Sequence, residues 1–418
     1  MEARVGAMKR YYEKKNVLIG LGLLVAIVVL GVGQFALERT VAAQAGAEAP
    51  RFEVDPFWPK PLPNHWVMGS TIGITIDSRD HVFVIHRQGS LGTNEVNAST
   101  DPPRTTDCCV PAPNVLEFDP EGNVVNHWGG PGEGYDWPQS NHGITLDPMG
   151  NIWIGGNGAS DAHILKFTRD GKFIKQFGKP HARRDPSSSD DEPTFVGDSD
   201  DKENFGRVAK VSFDDSGAEA FVADGYLNKR VAVLDSTTGE MKRYWGAYGN
   251  KPDDADLGRY DPMAKPAPQF RNPVHCAEPT HDGLVYVCDR VNNRIQVFRV
   301  NGEYVDEVII AKATLGAGAA WDVTFSSDPE QRYIYMADGM NERVYIIERK
   351  TLKLLTDFGD GGRQPGQFYG VHSIATDSKG NIYTTETYEG KRVQKFVYKG
   401  TGPVREKSQG VLWPTSSN

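Results

Sequence analysis

A short pattern recurs six times along this chain, and few folds can accommodate it. The copies read "GITIDSRDHVFVIHR" (73–87), "GITLDPMGNIWIGGN" (143–157), "KVSFDDSGAEAFVADGY" (210–226), "CAEPTHDGLVYVCDR" (276–290), "DVTFSSDPEQRYIYMADG" (322–339) and "SIATDSKGNIYTTET" (373–387). In each, alternating apolar residues flank a polar turn, the signature of a β-hairpin. A third strand follows, as in "ILKFT" (164–168), "VAVLD" (231–235), "IQVFR" (295–299), "VYIIE" (344–348) and "VQKFV" (393–397). In the first unit the matching strand, "VLEFD" (115–119), is delayed by an inserted loop. Five units add a fourth strand, and several of these end in an aromatic residue and glycine, as in "MKRYWG" and "LLTDFG". Four antiparallel strands repeated six times predict an all-β fold, a six-bladed β-propeller.

The sixth unit has no evident fourth strand. "NHWVMG" (64–69) echoes "VNHWGG" and is expected to supply it, closing the ring between its two ends and removing exposed sheet edges. The expected organisation is a leader at 1–45, a linker at 46–63, the propeller at 64–400 and a tail at 401–418, working as a monomer. The acidic, serine-rich insert at 181–205 reads as a mobile solvated loop.

The leader carries Arg4, Lys9, Arg10, Lys14 and Lys15 ahead of an apolar and glycine run from Val17 to Gly33. Its length and flanking charge fit either a membrane anchor or a signal peptide cleaved near "VAAQAG" (41–46), and both place the propeller on the outer face of the membrane. A net charge of −9 argues against nucleic acid, which demands a basic face. Export permits disulfides. Cys276 and Cys288 stand on opposite arms of one hairpin, whereas Cys108 and Cys109 are adjacent in a long loop.

Aligning the units on their turn-opening residue exposes a register. Five positions before it stand Ile72, His142, Ala209, His275, Trp321 and His372. Histidine thus occupies one place in units two, four and six, although the chain has only ten histidines. In a propeller this position begins the innermost strand, and alternate blades of six lie about 120° apart. The three imidazoles are expected to converge on the axis as a metal site with an open fourth position, the donor pattern of catalytic zinc. At the other end of the hairpins, Arg87 and Arg290 hold matching places in units one and four and suit a carboxylate. Tyr226 and Tyr388 lie near the same rim. A tyrosine beside a metal ion and an arginine can serve as a general base.

The motifs "GITIDSRDHVFVIHR", "NHGITLDPMGNIWI", "FVADGYLNKRV", "PVHCAEP", "VCDRVNNRIQVF" and "VHSIATDSKGNIY" resemble peptidyl-α-hydroxyglycine α-amidating lyase, a six-bladed propeller of the NHL-repeat kind. The resemblance runs from about residue 52 to 400. It implies zinc on His142, His275 and His372, Tyr226 of the D-G-Y-x-N motif as catalytic base, and Arg87 and Arg290 as its two arginines. Arg87 would stabilise the phenolate or oxyanion, and Arg290 would hold the substrate carboxylate. The implied reaction cleaves a carbinolamide N–C bond in a peptide or small-molecule α-hydroxyglycine, yielding an amide and glyoxylate. The family also carries structural calcium, for which the backbone carbonyls of Ile74 and Ile144 match. The aspartate expected after the third histidine is Ser373 here, and a substrate-contacting methionine is replaced by Gly370. Two other readings stay open: a gluconolactonase-type hydrolase, whose hard ion prefers oxygen ligands, and a non-catalytic NHL interaction module.

Overall fold

A computed structural model describes residues 47–99, 106–404 and 411–412. The leader lies outside them, and among the described residues no helix is long and apolar enough to cross a membrane. Residues 50–400 fall in one compact unit; the described part of a second comprises residues 47–49 and 401–404, where Val404 N donates to the Ala47 carbonyl.

Five four-stranded antiparallel sheets run in order from Ser70–Ile76 to Lys353–Phe358. A sixth begins with Val371–Thr376, Ile382–Glu386 and Val393–Pro403. The first strands of the six sheets contact one another in cyclic order, the sixth meeting the first, so the sheets form a closed ring of six blades. Each hairpin turn is locked by the residue that opens it. Asp77 accepts hydrogen bonds from the Arg79 and His81 amides, and Asp377 from those of Lys379 and Asn381, at 2.8–3.0 Å. Such Asx turns explain why aspartate recurs there.

The ring closes differently from the sequence expectation. Trp66–Val67 pairs in parallel with Val110–Pro111, at the end of the inserted loop, and does not join blade six. The fourth strand of that blade is Glu48–Asp55, inside the stretch expected to be linker. Its sequence shows why: in "RFEVD" Phe52 and Val54 are buried while Arg51 faces solvent, the alternation of a half-buried strand. Phe52 packs against Tyr335, Phe358 and Tyr398 at ring-centroid distances of 5.5, 5.4 and 6.1 Å. The end of the 181–205 insert is tied to blade three. The fully buried Arg230 donates to the carbonyls of Ser199, Asp201 and Asn204, and Arg183 pairs with Asp201.

Cys276 and Cys288 are directly opposed on the first two strands of blade four and are joined as a disulfide. Cys108 and Cys109 form a second bridge. Because Phe52 anchors the closing strand, Phe52→Ala should cost about 3–5 kcal/mol of unfolding free energy. Urea denaturation measures it, and a loss under about 1 kcal/mol would mean that the strand does not hold the ring.

Candidate metal centre

The three registered histidines meet. Their ring centroids form a near-equilateral triangle with sides of 5.1, 4.9 and 4.9 Å. They are 2–4% exposed, and one ligand atom from each lies within 4.8 Å of the others. Local backbone aims them. In all three blades the pairing between first and second strand slips at the histidine, between Asn141 and Ile144, Val274 and Cys276, and Val371 and Ile374. A β-bulge of this kind re-aims a side chain that regular alternation would turn to the other face.

The odd-numbered blades orient the rings. His142 Nδ1 lies 2.7 Å from the Ala209 carbonyl of blade three, and His275 Nδ1 bonds the Trp321 carbonyl of blade five. A carbonyl only accepts, so both Nδ1 atoms carry the proton and each Nε2 presents a lone pair. His372 Nδ1 makes no hydrogen bond within normal limits; the carbonyl facing it is that of Ile72, the equivalent residue of blade one. Ile72, Ala209 and Trp321 are therefore the partners of the histidines, a role that the register alone did not disclose.

Tyr226 completes the cluster. Its hydroxyl lies 2.9 Å from His142 Nε2 and 3.0 Å from His275 Nε2, and Arg290 Nη1 donates to it at 3.1 Å. The D-G-Y-x-N turn is built for this placement. Asp224 accepts from the Gly206 amide, Asn228 and Arg230, and a Cβ on Gly225 would stand 2.1 Å from the Val274 carbonyl beside His275. Arg290 stacks on Trp321, its guanidinium carbon 4.5 Å from the ring centroid, and donates to the Ala317 carbonyl. Arg87 bonds the Asn141 carbonyl and Asn157 Oδ1. Of the two arginines, Arg290 hydrogen-bonds the phenol oxygen, whereas Arg87 is coupled to Tyr226 through charge and bonds elsewhere. Tyr388 is half exposed at the rim, 6.4 Å from Trp321 between ring centroids.

Two lone-pair nitrogens converge on Tyr226, whose hydroxyl has a single proton to donate. Protonating the imidazoles is not an alternative at neutral pH. Burial lowers all three pKa values well below the ordinary 6.5, and Arg290 lowers them further, joined at His142 and His372 by Arg87. Two Nε2 lone pairs facing one hydroxyl proton fit a bound cation, and nitrogen donors favour zinc over calcium or magnesium. Among the described residues no other group of three histidine, cysteine or acidic side chains gathers its ligand atoms this closely. Ile74 and Ile144 lie buried on the innermost strands of blades one and two. Ser373 bonds Asp322, which is engaged by Lys210. A cavity of about 400 Å³, lined in part by Gln88, Trp137 and Gln139, opens beside Arg87; a larger one of about 560 Å³ lies at the turn end of the channel and includes none of these site residues.

Fold and site define a six-bladed β-propeller with a buried three-histidine cluster able to hold a metal ion. In sequence the chain is similar to peptidyl-α-hydroxyglycine α-amidating lyase. A probable enzyme of that name from Caenorhabditis elegans is 20% identical over 324 residues, 76% of this chain and 80% of that protein. Peptidylglycine α-amidating monooxygenase of Rattus norvegicus is 24% identical over 244 residues, 57% of this chain but only 22% of the rat protein. The match to the Mus musculus protein likewise spans 22% of its length. Among solved structures, the streptogramin B lyase structure aligns with a TM-score of 0.48 at 12% identity, over 84% of this chain and 98% of that one. No protein-family model matches the chain.

Because the histidines stay neutral below the usual imidazole range, protons should compete with a metal only in more acid solution. Zinc affinity of the apo-protein is expected to be flat from about pH 8 to about pH 6. Calorimetric titration measures it, and a steep decline beginning above pH 6.5 would show that the rings titrate as ordinary histidines.

Proposed function

We propose that this protein is a zinc-dependent carbon–nitrogen lyase acting on an α-hydroxyglycine, R–CO–NH–CH(OH)–COO⁻, to give the amide R–CO–NH₂ and glyoxylate. The observation that carries the reading is the meeting of three buried imidazoles, the Tyr226 hydroxyl and the Arg290 guanidinium at one point of the channel. The relatives named as amidating enzymes support the same reading.

His142, His275 and His372 would hold zinc, which when bound supplies Lewis-acid polarisation that eases loss of the substrate hydroxyl proton. Tyr226 takes that proton, and Arg290 stabilises the phenolate from which it acts. As the hydroxyl oxygen forms the aldehyde C=O, the C–N bond breaks and its electron pair goes to the amide nitrogen. Tyr226 then returns the proton to that nitrogen, so the reaction consumes neither water nor redox equivalents. Arg87 is left to anchor the carboxylate, beside the cavity that would take the R group. These assignments exchange the two arginine roles implied by the resemblance. An oxygen-ligated hydrolase is less well served, because the convergent donors here are imidazoles. The basic, apolar leader supports an extracytoplasmic site of action, with membrane attachment if it is retained.

Elemental analysis should find about one zinc per chain. His275→Ala is expected to lose both metal and glyoxylate release. Tyr226→Phe should keep zinc while its kcat falls about 10²–10⁴-fold. Undiminished glyoxylate release by Tyr226→Phe, or native protein without zinc, would sink the proposal.

A further inference from the structure

One residue along from the histidine register lies a second polar cluster that the proposed chemistry does not use. Lys210 follows Ala209, Asp322 follows Trp321 and Ser373 follows His372; Glu278 and Ser212 lie two positions further on their own strands. The Lys210 ammonium reaches Asp322 Oδ1 and Oδ2 at 3.0 and 3.2 Å and Glu278 Oε1 at 2.9 Å. Ser373 Oγ donates to Asp322 Oδ2 at 2.5 Å, the Ile374 amide donates to the same oxygen at 3.2 Å, and Ser212 Oγ donates to Glu278 at 2.8 Å. The network joins the innermost strands of blades three, four, five and six. Glu278 also lines the turn-end cavity, so the network stands between that cavity and the histidines.

The ammonium meets carboxylate oxygens of Asp322 and Glu278, and the hydroxyls of Ser373 and Ser212 in turn hydrogen-bond those carboxylates, so the polar side-chain atoms of the network other than the ammonium are all oxygens. Oxygen-only sets of this composition are the ones that hard divalent ions select. Burial alone would pull Lys210 toward its neutral form, but the charges of Asp322 and Glu278 more than offset this and hold it cationic. Each histidine is tied to the network through a neighbour in sequence. Ala209, whose carbonyl holds His142, precedes Lys210; Trp321, whose carbonyl holds His275, precedes Asp322; and His372 precedes Ser373.

We propose that Lys210 is a built-in cation: its ammonium takes the place of a hard divalent ion in a four-blade oxygen cage and thereby positions the histidine trio. Lys210 is a positioning residue, and the channel takes a metal ion only at the imidazoles.

Vacating the cage tests this without any activity assay, so failure of the lyase reading leaves the result intact. Wild-type protein should show the same melting temperature in EGTA and in millimolar Ca²⁺, and no Tb³⁺ luminescence from the channel. Lys210→Ala should melt roughly 5–10 °C lower in EGTA, recover much of that loss in Ca²⁺, and bind Tb³⁺. The visible spectrum of Co²⁺ bound by the trio should shift in Lys210→Ala and return toward the wild-type form when Ca²⁺ is added. Stabilisation of the wild type by Ca²⁺ would show the cage already open to metal and overturn the proposal. A Lys210→Ala protein of unchanged stability and spectrum overturns it as well. If Lys210→Ala folds only when produced in Ca²⁺, the replacement is supported; if it folds under neither condition, it is overturned.

Discussion

Closure of the ring is the constraint on which everything else rests. Residues from alternate blades share the axis only because the innermost strand of blade six meets that of blade one, and the strand Glu48–Asp55 supplies the fourth strand of blade six, with Val411–Leu412 paired in parallel outside it. The first and last parts of the propeller sequence are thereby united in one sheet. Its anchor is apolar, Phe52 set among three aromatic rings. A propeller blade buries little by itself, so stability and site geometry arise together, from contacts between neighbours.

On that frame the backbone makes one repeated departure from regularity. Adjacent residues of a strand normally face opposite ways. Here His142 and His275 reach the next blade, and so do Lys210 and Asp322 one position further along their own strands. The pairing slips that accompany the histidines, and the one between Val208 and Lys210, reconcile the two. The bulges let two successive positions serve a single narrow channel, imidazoles first and the ammonium network behind them.

The electrostatics follow from this stacking. Burial keeps the imidazoles neutral, reinforced by Arg290 at all three and by Arg87 at His142 and His372, and Arg290 also contacts the phenol oxygen of Tyr226. Lone pairs, a phenol hydroxyl and a guanidinium are thus gathered in a buried site, where charge interactions are strong. Behind them Lys210 is shared between two carboxylates, so a positive charge is held in the channel and neither buried carboxylate lacks a cationic partner.

The sequence alone determined the blade count, the hairpin turns and the histidine register, because each depends on local period and on residues such as Asp77 and Asp377 that act within their own turn. It also singled out Tyr226, Arg87 and Arg290, but not which arginine meets the phenol. Its choice of closing strand was mistaken: the alternation in "RFEVD" was legible, yet so was the echo in "NHWVMG", and only packing against Tyr335, Phe358 and Tyr398 decides between them. The carbonyl partners of the histidines, the bulges that aim them and the cage around Lys210 were left to the tertiary structure. Each joins residues from different blades, whose separation along the chain carries no distance until the ring has closed.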